Sequence, residues 1–120
     1  MEKKTKARAS THTIRQGNMN RSELKAKFFR GFADWVRISI LERLIDGEKS
    51  VAEIAAAVGA KQSRISNHLA CLRHCNFVQT RQEGKQIFYS IRDHQIKKML
   101  EMADSILATN AEQVYSCTRM

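Results

Sequence analysis

The apolar period of this chain changes at Asn76, from helical spacing before it to strict alternation after it. Phe77-Val78-Gln79-Thr80-Arg81 and Gln86-Ile87-Phe88-Tyr89-Ser90-Ile91 are β-branched and aromatic runs, the residue types that suit the two faces of a strand. A short polar link containing Glu83-Gly84-Lys85 joins them, so the two runs read as a β-hairpin with a basic tip. The fold must therefore append one small hairpin to a helical body.

Upstream, Leu24, Phe28 and Phe32 recur every four residues and mark one face of a helix over residues 21–32. A second helix is expected over residues 34–45, with Ile38, Leu41 and Ile45 as its stripe and Asp46-Gly47 as its stop. Ser50-Val51-Ala52-Glu53 has the form of a capping box, in which the serine hydroxyl and the glutamate carboxylate satisfy each other's backbone N–H groups. The helix it starts runs to Val58 and ends at Gly59, and after a short turn another follows over residues 62–75. Two short helices about such a turn make a helix-turn-helix, whose second helix enters the major groove of DNA.

Downstream of the hairpin, Asp93 is placed to cap a last helix, on which Ile96, Met99, Leu100, Ala103, Ile106 and Leu107 share one face. Residues 111–120 lose that pattern and read as a tail, and residues 1–18, polar and basic, read as a disordered arm. The expected fold is mainly α with a small β-hairpin, a winged helix-turn-helix over residues 19–110. The faces built on Leu24, Phe28 and Phe32 and on Ile96 through Leu107 exceed what one small core needs. With the half-site symmetry of helix-turn-helix recognition, they point to a homodimer.

The net charge of +9 is concentrated in two places. Lys3, Lys4, Lys6, Arg8 and Arg15 face only Glu2 in residues 1–18, and Lys61, Arg64, Arg73, Arg81 and Lys85 face only Glu83 in residues 61–85. Such clustering suits a partner rich in phosphates, because each cation that neutralises one releases a condensed counterion. No run approaches the ~18 apolar residues of a membrane span, and the start has no signal-peptide core. The expectation is a cytoplasmic protein with double-stranded DNA as partner and no membrane.

In the 62–75 helix, Ile65, Leu69 and Leu72 lie at i, i+4 and i+7 and face the core. Gln62, Ser63, Ser66, Asn67 and Arg73 fall on other faces and carry groups that read base edges and phosphates. Arg64 and His68 on the same helix, and Arg81 and Lys85 on the hairpin, complete the candidate DNA contacts. Cys71 and Cys75 sit at i, i+4, with Cβ atoms ~5–6 Å apart, close enough for both sulfurs to reach one ion. They lie roughly 110° around the helix from the apolar stripe, on its flank. Cys71, Cys75 and Cys117 are an odd set of thiols, and spacing alone leaves metal binding, redox sensing and simple packing open.

Residues 32–107 resemble the ArsR/SmtB family of bacterial repressors. The likeness is carried by Ala33-Asp34-Trp35-Val36-Arg37-Ile38-Ser39-Ile40-Leu41, Ser50-Val51-Ala52-Glu53-Ile54-Ala55, Gln62-Ser63-Arg64-Ile65-Ser66-Asn67-His68-Leu69 and Glu83-Gly84-Lys85-Gln86-Ile87-Phe88-Tyr89-Ser90. Residues 66–75 are similar to the recognition helix of the family's cadmium- and lead-sensing branch. That resemblance implies a site of three thiolates, Cys71, Cys75 and Cys117, the last supplied by the other protomer, with release from operator DNA on metal binding. Three thiolates prefer soft ions, so Cd(II) and Pb(II) lead, with Hg(II) and Zn(II) behind.

The chain departs from other branches. Residues 50–58 carry no cysteine pair of the arsenic-sensing kind. Ile106 and Thr109 stand where a zinc site on the last helix would need His and Glu. The family's usual Pro-Thr-Arg is here Trp35-Val36-Arg37. The rival readings are a redox-sensing repressor using the same thiols, a repressor with incidental thiols, and a thiol enzyme. No acid–base partner is placed beside Cys71 or Cys75 and no phosphate loop appears, so the expectation is that the chain is not an enzyme.

Overall fold

The structure is a computed structural model that describes residues 18–119. The arm read over residues 1–18 lies outside the described residues except for Asn18, as does Met120. Helix α1 (Arg21–Arg30) starts at a capping box that the sequence reading did not register. The Asn20 side chain accepts from the Glu23 N–H at 2.8 Å, and Glu23 accepts from the Asn20 N–H at 2.9 Å. The helix ends before Phe32, two residues short of the expected span, yet the Phe28 and Phe32 rings still meet edge-on with centroids 5.3 Å apart.

The unit beginning at Trp35 contains α2 (Trp35–Leu44), β1 (Lys49–Ser50), α3 (Val51–Val58), α4 (Gln62–His74), β2 (Val78–Glu83), β3 (Gln86–Ile91) and α5 (His94–Ser116). Its core is made where α2, α3 and α4 pack on one another and on β2 and β3. Val36, Ile40, Leu41, Ile54, Ile65, Leu69, Leu72 and Val78 have at most 1 % exposure. Removing each such side chain from water contributes about 1.5–3 kcal/mol before entropy is counted.

The buried stripe of α2 differs from the one expected. Val36, Ile40, Leu41 and Leu44 face the core, while Ile38 and Ile45 are only half-buried. The helix is apolar on more than one side, so the i, i+4, i+8 row that meets α3 and α4 is selected by packing rather than by period.

Helix α3 has the expected capping box: the Glu53 N–H donates to Ser50 Oγ at 3.2 Å, and the Ser50 N–H to Glu53 Oε1 at 2.8 Å. Gly59 ends it in the left-handed region, with φ +82°. Helix α4 ends at His74 with Cys75 as its cap, and Asn76 follows with φ +65°. The Phe77 N–H reaches back to the Leu72 carbonyl at 2.8 Å and the Asn76 N–H to that of Arg73 at 3.0 Å. This six-to-one and five-to-two pattern closes the helix, with buried Phe77 and Leu72 as its apolar pair.

The sheet is antiparallel in the order β1-β3-β2. Val78 opposite Ile91 and Glu83 opposite Gln86 set the register of the hairpin, whose turn begins at Gly84 with φ +62°. Strand β2 runs two residues beyond the expected end at Arg81. Strand β1, two residues pairing with Phe88 and Tyr89, has too short a run to give a periodic signal.

Helix α5 begins where expected, with Asp93 accepting from the Gln95 N–H at 2.9 Å. It does not end at residue 110. Asn110 breaks the helical dihedrals (φ −138°, ψ 22°), but residues 111–116 continue as helix. The expected tail therefore shrinks to the last few residues. Ala, Glu and Gln carry this final stretch by propensity, without the apolar stripe on which the sequence reading relied. No helix among the described residues is long and apolar enough to cross a membrane.

Candidate nucleic-acid interface and thiol site

The burial of Ile65, Leu69 and Leu72 sets the rotation of α4 and thereby what it shows to solvent. Gln62, Ser63, Arg64, Ser66 and Asn67 are exposed together on its first half. This end of the helix has no side-chain cap on its backbone N–H groups, because Lys61 occupies the N-cap. Unsatisfied N–H groups, the helix dipole and two cations make it an electropositive edge that also carries amide and hydroxyl groups. The Arg64 guanidinium lies over the ring of Trp35, 5.9 Å from its centroid.

Other candidate contacts are placed differently. His68 is half-buried, with Nδ1 3.4 Å from an Arg37 guanidinium nitrogen on α2. Arg73 is exposed at the far end of α4, beside an open groove of about 340 Å³ that Asn76, Gln79, Thr80 and Arg92 also line.

On the hairpin, Lys85 is exposed at the tip, but Arg81 is engaged. Its Nε donates to Glu48 Oε1 at 3.0 Å, one terminal nitrogen pairs with Glu48 Oε2, and the other reaches Glu83 Oε1 at 2.8 Å. The guanidinium also covers the Phe88 ring, 5.0 Å from its centroid. Arg81 thus ties the hairpin to the segment before β1, and two carboxylates compensate its charge. Its guanidinium holds the Glu48 carboxyl below the ordinary value of 4.5. The sequence reading missed Trp35 and Glu48 because neither lies in the basic segment; only the chain fold brings them to Arg64 and Arg81.

All three cysteines are exposed. The Cys75 N–H bonds to the Cys71 carbonyl at 3.0 Å, which keeps the two thiols on successive turns along the flank of α4. Cys117 caps α5, its N–H donating to the Val114 carbonyl at 3.2 Å. Among the described residues of one chain, no three His, Cys, Asp or Glu side chains converge on a possible cation site. The fold brings Cys71 and Cys75 together and does not bring Cys117 to them.

Residues 34–80, from just before α2 into strand β2, match the family model described as bacterial regulatory protein, arsR family. The chain belongs to the ArsR family. It is 37% identical over 95 residues to a probable mercury resistance operon repressor of Streptomyces lividans, covering 79% of this chain and 76% of that one. Over 94 residues it is 36% identical to the HTH-type transcriptional regulator CmtR of Mycobacterium bovis, covering 78% and 80%. The crystal structure of Rv0081 from Mycobacterium tuberculosis superposes with a TM-score of 0.72 at 34% identity, covering 79% of this chain and 96% of that one. For this ArsR-family chain the winged helix-turn-helix is thus established by relatives as well as by its own topology.

Proposed function

We propose that this chain is a metal-responsive transcriptional repressor of the cytoplasm, which binds operator DNA as a homodimer and is released when a soft metal ion takes its thiolates. One observation carries the reading: two exposed thiols sit on successive turns of the helix whose first half presents Gln62, Ser63, Arg64, Ser66 and Asn67. Sensor and reader are one rigid element. Arg73 and Lys85 extend the phosphate-binding surface, while Arg37 engages His68 and the Glu48 and Glu83 carboxylates engage Arg81. Met102, Ile106, Leu107 and Val114, apolar residues of α5 left exposed beyond Leu100, supply the surface on which a second copy packs.

Cys71 and Cys75 give two ligands, and Cys117 of a second copy gives the third. A helix tethered to a partner's C-terminal segment cannot keep its place in the groove, so metal and DNA oppose each other, and the coupling is reciprocal. Three thiolates suit Cd(II) and Pb(II), with Zn(II) weaker, and the likeness to a mercury operon repressor adds weight to Hg(II).

The test is a fluorescence-anisotropy titration of the reduced protein on a duplex obtained by in vitro selection, against a metal panel. Cd(II), Pb(II) or Hg(II) should release the DNA while arsenite does not. Cys117→Ser should keep metal-free DNA affinity and lose most of the release. Normal release of that variant would overturn the three-thiolate scheme, and release by oxidant alone would favour a redox sensor.

A further inference from the structure

We propose that Trp35 is a positioning residue of the DNA interface: its indole face holds the Arg64 guanidinium at the N-terminal edge of α4, where it meets a backbone phosphate. This rests on the DNA-binding reading above. Trp35 opens α2 yet is 65% exposed, while its neighbour Val36 is fully buried. The helix is anchored by Val36, Ile40, Leu41 and Leu44 and does not need the indole for its core.

Leaving the chain's single tryptophan in water has no packing rationale, but its contact does suggest one. Arg64 is the third residue of α4, and its guanidinium carbon lies 5.9 Å from the Trp35 ring centroid, within the range of cation–π attraction. A flexible arginine loses rotamer freedom when it grips a phosphate, and a ring that already holds it lowers that loss.

The surroundings specify the ligand. Lys61, Arg64 and the uncapped N–H groups of α4 call for an anion. A DNA backbone phosphate supplies it, an oxygen that accepts from the guanidinium held on the indole face.

The experiment is a double-mutant cycle of Trp35→Ala and Arg64→Ala on a short mixed-sequence DNA duplex, with Kd measured across a salt series. Arg64→Ala should reduce the slope of log K against log salt by about 0.9, one phosphate's worth. Trp35→Ala should weaken binding about 2–5-fold in the presence of Arg64 and have no effect once Arg64 is gone. Trp35→Phe, which keeps a ring, should restore most of the loss, and the emission of Trp35 should change when wild-type protein binds. An effect of Trp35→Ala that is the same with and without Arg64 overturns the proposal, as does an unchanged salt slope in Arg64→Ala. Failure of the wild-type protein to bind any duplex at low salt would instead remove the DNA-binding reading itself.

Discussion

Cys71 and Leu72 are adjacent in α4, and the functional reading depends on their opposite environments. Leu72 has no exposure and closes the helix end with Phe77. Cys71 is exposed. Leu72→Ala leaves a cavity, and buried leucine truncations cost about 2–5 kcal/mol. Taking about 3 kcal/mol and roughly 4–8 °C per kcal/mol for a domain of this size, Tm should fall by roughly 12–24 °C. Cys71→Ser removes no packing and should stay within about 0.5 kcal/mol, a shift of roughly 2–4 °C at most. The assay is thermal unfolding by circular dichroism in reductant, with both variants at the same protomer concentration, since an associating chain has a concentration-dependent Tm. A Cys71→Ser variant as unstable as Leu72→Ala would mean that the thiol is a core residue. The argument that it is free to bind an ion would then fail.

Asn76 tolerates φ +65° because its short polar side chain suits the left-handed region. Asn76→Gly should leave chemical-denaturation stability unchanged or slightly raised, whereas Asn76→Val should lower it by about 1–2 kcal/mol; the reverse order would contradict the helix-closing geometry. Arg81 holds the Glu48 carboxyl below 4.5, so the pair favours the folded hairpin above that pH, and its contribution is lost as pH falls through the lower folded value. A carboxyl-carbon NMR titration should place the Glu48 midpoint below 4.5 in the wild-type protein and move it up in Arg81→Gln. Equal midpoints in the two proteins would refute the pairing.

The periodicity change at Asn76, the Ser50–Glu53 box, Gly59 and the Ile65/Leu69/Leu72 stripe were legible because each is a local signal, written within one turn or one strand. They were enough to place the winged helix-turn-helix and to set Cys71 and Cys75 on the flank of its second helix. The face of α2 that enters the core was not legible, since Val36, Ile38, Ile40, Leu41, Leu44 and Ile45 offer more than one stripe and only packing against the rest of the fold chooses between them. The continuation of α5 past Asn110 was hidden because that stretch is held by propensity rather than by an apolar face.

The two side chains that adjust the candidate interface needed the tertiary fold. Arg81 reads in the sequence as another DNA-facing cation, and only the fold shows that Glu48, 33 residues away in sequence, pairs with it. Trp35 looked like an idle departure from the family pattern until α2 and α4 packed and set Arg64 over its ring. The sequence alone determined the helix-turn-helix, the hairpin and the start of the last helix, because capping and period act over a few residues. Which charges remain unpaired, and which ring holds an arginine, was decided only by packing between segments far apart in the chain.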